Sequence, residues 1–301
     1  MTAQAAPLSG QDGPSARPVR RRFSWAWLGL LPFGIFSTLF LVIPTAYLVI
    51  GSLQDKTGAF TLANYSGLAD PGIVDAYGNS IEISLVTAIG GGIFGFLLAY
   101  AVINGGLPKF LRSALMTFSG VASNFAGVPL ALAFVFTLGR VGLLTVFLRD
   151  GLGIDMYSSG FSLYSKIGLE LVYMYFQFPL MVLVIAPAID GLKKEWREAS
   201  DVLGANSYQY WRRVALPILT PSLLGTVILL FGNAFGAQAT AYQLTSGLIR
   251  IVTIVISSQM RGDVLFNPNL GYALAMGMVV IMSASIAVYS LLQRRSERWL
   301  R

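Results

Sequence analysis

The sequence predicts an all-α membrane protein with six transmembrane helices, both termini in the cytoplasm and a helical loop on the cytoplasmic side. Three observations support this fold class: the apolar composition, six long apolar stretches and an uneven distribution of basic residues. Of the 301 residues, 55% are apolar and 12% are charged, whereas roughly 25% of an average soluble domain is charged. So few charges cannot cover a water-exposed surface, which excludes a soluble enzyme and a disordered chain.

The missing residue types narrow the chemistry. The chain contains no His and no Cys, which supply most zinc, haem and iron–sulfur ligands and the Ser–His and Cys–His catalytic pairs. The sequence therefore predicts no metal site, no catalytic residue and no cofactor bound to this chain. A P-loop is also absent, because no lysine follows a glycine. Any ATP hydrolysis must take place in another chain.

Residues 1–24 are rich in Ala, Pro, Gly and Ser and end near an Arg cluster. We expect them to form a disordered cytoplasmic tail before a transmembrane domain at 25–301. A cleaved signal peptide is the alternative, since basic residues precede an apolar run. That run is too long for a signal core, and no cleavage site with small residues follows it.

Six apolar stretches follow, each long enough to cross a hydrocarbon core of about 30 Å as a helix. They lie at about 27–50, 80–103, 113–137, 167–189, 218–240 and 271–292. Asn124 interrupts the third stretch, and Asn233 and Gln238 interrupt the fifth. We therefore expect these two spans to be the ones that are broken or shortened.

The basic residues predict the orientation. With the N-terminus inside, 15 of the 21 Lys and Arg residues fall on the cytoplasmic side. This excess predicts that both termini are cytoplasmic. The net charge of +7 therefore reflects topology and contact with the lipid bilayer, and it does not indicate a nucleic-acid partner.

The segment 190–217 is the most charged loop between spans. Its apolar positions follow a helical spacing that predicts one common face; they are Leu192, Trp196, Ala199 and Leu203. Gly204 stands where a helix would end, and Asn206 or Ser207 can begin a second short helix that reaches Arg213. Pro217 then opens the fifth span, in a position that the first turn of a helix tolerates.

This loop resembles the "EAA" loop of binding-protein-dependent ABC importer permeases. That pattern reads E-A-A, three residues, G, nine residues, I-x-L-P, and its spacing is matched throughout. Ser200 replaces the second Ala and Val214 replaces Ile. The matching positions are Glu198, Ala199, Ser200, Gly204, Val214, Leu216 and Pro217. A basic loop lying on anionic lipid is the alternative, but three acidic residues within 195–201 disfavour it.

The resemblance implies a bacterial inner-membrane protein and a division of labour. Two permease subunits would form the pathway, two cytoplasmic ATPase subunits would use ATP and Mg, and an external solute-binding protein would deliver the substrate. A heterodimer of two permeases is favoured over a homodimer. In this coupling loop, Glu198 would contact the ATPase, Ala199 would allow close approach and Gly204 would form the elbow. Leu216 and Pro217 would transmit motion into the fifth span.

Polar residues within the spans are candidates for the translocation pathway. Asn124, Gln177, Asn233 and Gln238 lie in mid-span and either bond to a neighbouring helix or line the pathway. Glu82 and Glu170 lie near the outer ends and are either interfacial or contact a cationic substrate. Glycines at 90–92 and 95, and at 232 and 236, predict close helix packing.

The stretch 231–247 looks like the corresponding region of spermidine/putrescine-type permeases, which implies a polyamine or a similar small solute. The chain resembles permeases for phosphonate, iron, thiamine or molybdate more diffusely. A gradient-driven secondary transporter is the alternative function, but it calls for acidic or His residues near the membrane midplane. A membrane enzyme would need clustered acid, base or metal-ligand residues, and the sequence shows none.

Overall fold

The computed structural model describes residues 29–261 and 267–297, with side chains as far as Arg294. The expected tail at 1–24 lies outside these residues, as do the basic residues Arg298 and Arg301. The described residues are helical apart from turns, loops and one isolated bridge between Gln54 and Phe60. The all-α prediction is confirmed.

The chain divides into two compact units, Met1–Tyr47 and Leu48–Arg301. The helix α1, Leu31–Ser52, begins in the first unit and ends in the second. It contains a wide π turn at Thr38–Val42, closed by the amide of Ile43 on the carbonyl of Thr38. This turn lies just before Pro44, whose ring would clash with the carbonyl four residues earlier in a regular α-helix.

The second unit holds the remaining helices. In chain order they are α2 Pro71–Asn104, α3 Lys109–Asn124, α4 Val128–Leu138, α5 Lys166–Asp190, α6 Lys194–Val202, α7 Ser207–Gly236, α8 Ala239–Thr245, α9 Val252–Arg261 and α10 Pro268–Glu297. Short helical turns lie at Ala63–Ser66, Gly67–Ala69, Leu143–Val146 and Phe147–Gly151.

Among the described residues, six helical segments are long and apolar enough to cross a membrane, which confirms the predicted number. They are Leu31–Ser52, Pro71–Asn104, Val128–Gly151, Lys166–Asp190, Ser207–Gly236 and Pro268–Arg294. The second segment starts nine residues before the predicted boundary at 80, and the fifth starts eleven residues before the boundary at 218. Both helices therefore extend beyond their most apolar stretch.

The third span, predicted at 113–137 and expected to be broken or shortened, is interrupted. The helix α3 ends at Asn124, residues 125–127 are not helical, and α4 begins at Val128. Gly127 has a φ of +76°, a conformation that glycine adopts at no steric cost. Pro129, in the first turn of α4, has no amide to continue the preceding helix. The fifth span is also interrupted, since α7 ends at Gly236 and α8 begins at Ala239.

Helices α2, α5 and α7 form the centre of the bundle, and glycines bring α2 against α5. An alanine Cβ at Gly91 would lie 2.6 Å from Cβ of Gln177, and one at Gly95 would lie 2.6 Å from Cβ of Met181. A Cβ at Gly232 would similarly lie 2.6 Å from Cε of Met282 on α10. The predicted glycine packing is present at these positions, whereas Gly236 has no heavy atom within 4 Å of such a Cβ.

Candidate functional site

The loop between α5 and α7 contains a sharp turn at Gly204, whose φ is +75°. The amide of Ala205 donates to the carbonyl of Ser200 at 3.0 Å, and the amide of Gly204 donates to that of Asp201 at 3.0 Å. These two bonds form a Schellman motif, in which a left-handed residue satisfies the last carbonyls of a helix. Glycine is the residue type that this conformation favours.

The next helix begins with a capping box. The side chain of Asn206 accepts the amide of Gln209 at 2.9 Å, and the side chain of Gln209 accepts the amide of Asn206 at 2.9 Å. Two amides that the first helical turn leaves without partners are thereby satisfied. Of the two cap residues considered from the sequence, Asn206 is the one used.

The separate second helix expected to reach Arg213 does not occur, because α7 runs without a break from Ser207 to Gly236. Pro217 does not open this helix but lies about three turns inside it. A π turn at Trp211–Ala215 precedes it, with the amide of Leu216 donating to the carbonyl of Trp211. This wider turn accommodates a proline that would otherwise clash with the carbonyl of Arg213. We call α6 the first arm of the loop and the start of α7 its second arm. The second arm is consequently one rigid piece with the fifth span.

The face that α6 turns inward differs from the expected one. Trp196 is half-buried and Ser200 is buried, whereas Ala199 and Leu203 are exposed. The expected pattern counted Leu192 and Leu203, which lie outside the regular helix, so their helical spacing does not hold. Ser200 is accommodated because its hydroxyl donates to the carbonyl of Arg197 at 2.8 Å.

The opposite side of this loop exposes one acidic and three large apolar side chains, which we call the loop surface: Glu198, Val202, Leu203 and Tyr208. The exposed fractions are 88% for Val202, 85% for Leu203 and 68% for Tyr208, and Glu198 is also exposed. Exposed apolar side chains this close together in sequence are typical of a protein-binding site. Glu198 lies one helical turn before Val202 on α6, so a carboxylate adjoins the apolar positions.

Arg197 holds the two arms of the loop together, a role that the sequence analysis missed. Its guanidinium pairs with Asp201 at 3.1 Å, donates to Oγ of Ser207 at 3.0 Å and lies 4.9 Å from the ring centre of Tyr210. The four-residue spacing from Asp201 is a sequence signal for the ion pair. The contacts with Ser207 and Tyr210 depend on the turn at Gly204, so no sequence pattern reveals them.

Trp211 connects the loop to the second span. Its ring meets that of Tyr100 edge to face at 4.9 Å and that of Phe96 at 6.3 Å. Such aromatic pairs contribute about 0.5–1.5 kcal/mol each beyond their buried area. The loop therefore contacts α2 directly as well as continuing into α7. At the same end of the bundle, Nη2 of Arg112 on α3 donates to both carboxylate oxygens of Asp190, at 2.6 and 2.8 Å.

The two interruptions, one in the third span and one in the fifth, meet each other. The amide of Gly127 donates to Oγ1 of Thr240 at 2.8 Å, and Tyr173 of α5 donates to the carbonyl of Ala237 at 2.6 Å. Tyr173 lies 17 residues before Asp190, so this point is about 25 Å from the loop end of α5. Non-helical backbone at such a depth is tolerated only where protein covers it or where it lines a polar cavity.

A cleft of about 430 Å³ opens beside the two interruptions, and we call it the break cleft. Its polar side chains are those of Ser123, Asn233, Gln238 and Thr240. Two of the four mid-span polar residues, Asn233 and Gln238, therefore line a cavity, and their place in the translocation pathway stays a prediction.

The other two mid-span residues satisfy bonds within the bundle. Gln177 is fully buried, and its Nε2 donates to the carbonyl of Leu230 on α7 at 2.9 Å. Its Oε1 has no hydrogen-bond partner among the described residues. Asn124 is exposed and donates to the carbonyl of Gly120 in its own helix at 2.9 Å. Gln177 thus bonds to a neighbouring helix, whereas Asn124 bonds within its own helix, and its place in the translocation pathway stays a prediction.

The two carboxylates lie at the end of the bundle opposite the 190–217 loop. Glu82 accepts the ammonium group of Lys166 at 2.5 Å, and that group also donates to Asn79 at 3.2 Å. Glu170 borders a separate, largely apolar groove of about 570 Å³ that includes Phe118 and Phe178. The linings of this groove and of the break cleft have no residue in common.

The sequence profile of one protein family matches residues 91–301, and that family is the binding-protein-dependent transport system inner membrane component. The chain belongs to this family. It is therefore an ABC importer permease, a multi-pass protein of the inner membrane, and the ATPase of such importers is a separate chain. The function predicted from the 190–217 loop is confirmed over that of a gradient-driven secondary transporter.

The relatives of this permease are named for different substrates. It is 27% identical over 225 residues to the probable sulfate transport system permease protein cysT of Prototheca wickerhamii, covering 73% of this chain and 82% of that one. It is 28% identical over 276 residues to the spermidine/putrescine transport system permease protein PotB of Haemophilus influenzae, covering 87% and 94%. Other relatives include sulfate permeases of two names, CysT and CysW.

The permease also resembles a chain in the crystal structure of a bacterial ABC transporter involved in the import of the acidic polysaccharide alginate. The TM-score is 0.71 at 18% sequence identity, and the match covers 90% of this chain and 95% of the other. At this identity the likeness concerns the fold.

Proposed function

We propose that this permease forms one half of a solute pathway and that its 190–217 loop docks on a cytoplasmic ATPase, which uses ATP and Mg. An extracytoplasmic solute-binding protein delivers the substrate, and a second, different permease subunit completes the pathway. The observation that carries this proposal is the loop surface, where Val202, Leu203 and Tyr208 are largely exposed beside Glu198. The sulfate relatives with two names, CysT and CysW, favour a heterodimer.

The orientation follows from this docking. An ATPase in the cytoplasm requires the loop surface to be cytoplasmic, and six spans then place both chain termini on that side. The pair of Arg112 and Asp190 lies at this end, where the excess of basic residues also predicts the cytoplasm. The break cleft and the carboxylates Glu82 and Glu170 then lie toward the outer side.

The loop's connections suit it to transmit force. Arg197 clamps its two arms, α7 continues without a break from the loop into the membrane, and Trp211 packs on α2. A push on the loop therefore moves α2 and α7 together, because closely packed elements shift as units. The interruption that ends α7 adjoins the break cleft, so this motion would reach the polar pathway.

The substrate has two candidates. A polyamine is favoured by the relative PotB, which covers most of both chains, and by the 231–247 resemblance. A small oxyanion is favoured by the sulfate permeases among the relatives. The carboxylates Glu82 and Glu170, which suggested a cation, do not border the break cleft.

The proposal is tested by charge reversal at Glu198 in the purified assembly of both permeases, the ATPase and the binding protein. Glu198→Arg should release the ATPase in a pull-down and abolish ATP-driven uptake, while the amount of membrane-inserted permease stays unchanged. A basic residue would face the positive rim that a glutamate contact requires. ATP-driven uptake and ATPase capture that both survive this change would refute the docking assignment.

Glu195→Arg is the matched control. Glu195 is an exposed acidic residue of the same helix, one turn earlier, and it lies outside the matched loop pattern. This variant makes an identical change in net charge. We expect it to retain the ATPase, so equal loss in both variants would indicate a general charge effect in place of a specific contact.

A further inference from the structure

A second cleft adjoins the break cleft and contains an arginine. It measures about 490 Å³ and lies between α8, the start of α4 and the end of α9; we call it the Arg261 cleft. Its polar side chains are those of Gln238, Tyr242, Gln243, Ser257, Ser258 and Arg261. Gln238 and Ala239 line both clefts, so the two clefts adjoin at the interruption of the fifth span, and we call their combined lining the polar path.

The groups that line this path are suited to a small anion. The guanidinium and the amide nitrogens donate hydrogen bonds, and the hydroxyl groups can donate as well. Among the described residues, neither cleft is lined by Asp or Glu. A polyamine carries several positive charges and would meet Arg261 with no carboxylate in the described lining to balance it. The aromatic rings of Tyr242 and Phe176 could contact a cation, but a planar guanidinium matches a tetrahedral oxyanion.

Arg261 forms no ion pair with any acidic side chain in the part of the chain that the structure describes. The ion pairs there join Arg112 to Asp190, Arg149 to Asp150, Lys166 to Glu82 and Arg197 to Asp201. Glu170 borders the other groove, on the surface of α5. Of the acidic side chains that the structure describes, none forms an ion pair with Arg261.

We propose that the Arg261 cleft and the break cleft together form the oxyanion path of this permease, with Arg261 as its charged contact and Gln238 and Asn233 as the next hydrogen-bond donors inward. This inference rests on the proposed pathway function and specifies its substrate class. The ligand is a small tetrahedral or near-tetrahedral oxyanion, since 490 and 430 Å³ accommodate such an ion with part of its water.

The test measures ATP-driven uptake in proteoliposomes that contain the full assembly. The probes are radiolabelled sulfate, phosphate and molybdate against spermidine and putrescine, each with saturating loaded binding protein. We expect uptake of an oxyanion. Arg261→Gln should lower its maximal rate at least tenfold without raising the concentration of binding protein needed for half-maximal uptake. Arg261→Lys should retain part of the rate, because it keeps the charge and loses the planar fork.

Arg140→Gln is the matched control, because Arg140 is an exposed arginine outside both clefts, stacked 5.6 Å from the ring centre of Tyr157. It should leave uptake unchanged. Polyamine uptake that Arg261→Gln does not alter would overturn the oxyanion path while leaving the proposed function intact. A higher half-saturating concentration of binding protein would also overturn it, since Arg261 would then be a docking residue. Loss of ATP dependence for every solute would instead refute the proposed function.

Discussion

Replacing Gly95 by alanine removes the space that lets α2 and α5 touch, and its effect on stability can be worked out from the structure. The added Cβ would lie 2.6 Å from Cβ of Met181 and 2.8 Å from the carbonyl oxygen of Phe178. Carbon atoms pack best at about 3.5–4.0 Å. The helices must therefore move apart by about 1 Å at this point, because neither contacted atom is the end of a flexible side chain.

A gap of that size forfeits a quarter to a half of the attraction between the atoms involved, and overpacking a tight core typically costs about 1–3 kcal/mol. Alanine recovers about 0.5–1 kcal/mol of helix propensity relative to glycine. We expect a net loss of about 1–2 kcal/mol in the free energy of unfolding. Thermal and denaturant unfolding of the detergent-solubilised permease would measure it.

Gly78→Ala provides the control on the same helix. An alanine Cβ at Gly78 has no heavy atom within 4 Å, so only the gain in helix propensity remains, and this variant should be as stable as the parent or slightly more stable. The reasoning fails if Gly95→Ala unfolds at the same point as Gly78→Ala. That result would mean that the α2–α5 seam is looser than the structure indicates.

Two further predictions concern the loop and the interrupted spans. Gly204→Ala should destabilise the loop by about 1–2 kcal/mol, because alanine is strained at a φ of +75°. Gly204→Asn should cost less, since asparagine tolerates this conformation better. ATP-driven uptake should therefore be lower for the Ala variant than for the Asn variant. Thr240→Val should lower the unfolding temperature, because it leaves the amide of Gly127 without its partner, at a cost of about 1–3 kcal/mol. Thr240→Ser keeps the hydroxyl, and a Ser variant as unstable as the Val variant would contradict this account.

Local patterns in the sequence predicted the fold class and the loop. Twenty or more apolar residues in a row can be satisfied only as a membrane helix, since lipid offers no partner to the backbone. The turn at Gly204 and the cap at Asn206 depend on residues within a few positions of one another. For the same reason, the polar residues Asn124 and Gln238 indicated which spans are interrupted.

Contacts between residues that are distant in the chain could not be predicted from the sequence. The inward face of α6 was mispredicted, because Leu203 follows the helix and the clamp by Arg197 depends on where α7 begins. The spacing around Pro217 predicted a helix start, but a π turn lets the helix pass through the proline. Similarly, nothing in the local pattern relates Lys166 to Glu82, which are joined only when α2 packs against α5.

The sequence by itself determined that this chain is a six-span permease with an EAA-type loop, because hydropathy, charge and short-range spacing act within single segments. Only the tertiary structure decided which polar residues face a cavity. Gln177 and Asn233 are both amide side chains in the middle of a predicted span. The first is nevertheless buried between α5 and α7, and the second lines the break cleft. The physical reason is that in a bundle the neighbouring helices decide whether a polar side chain meets a carbonyl or an open path.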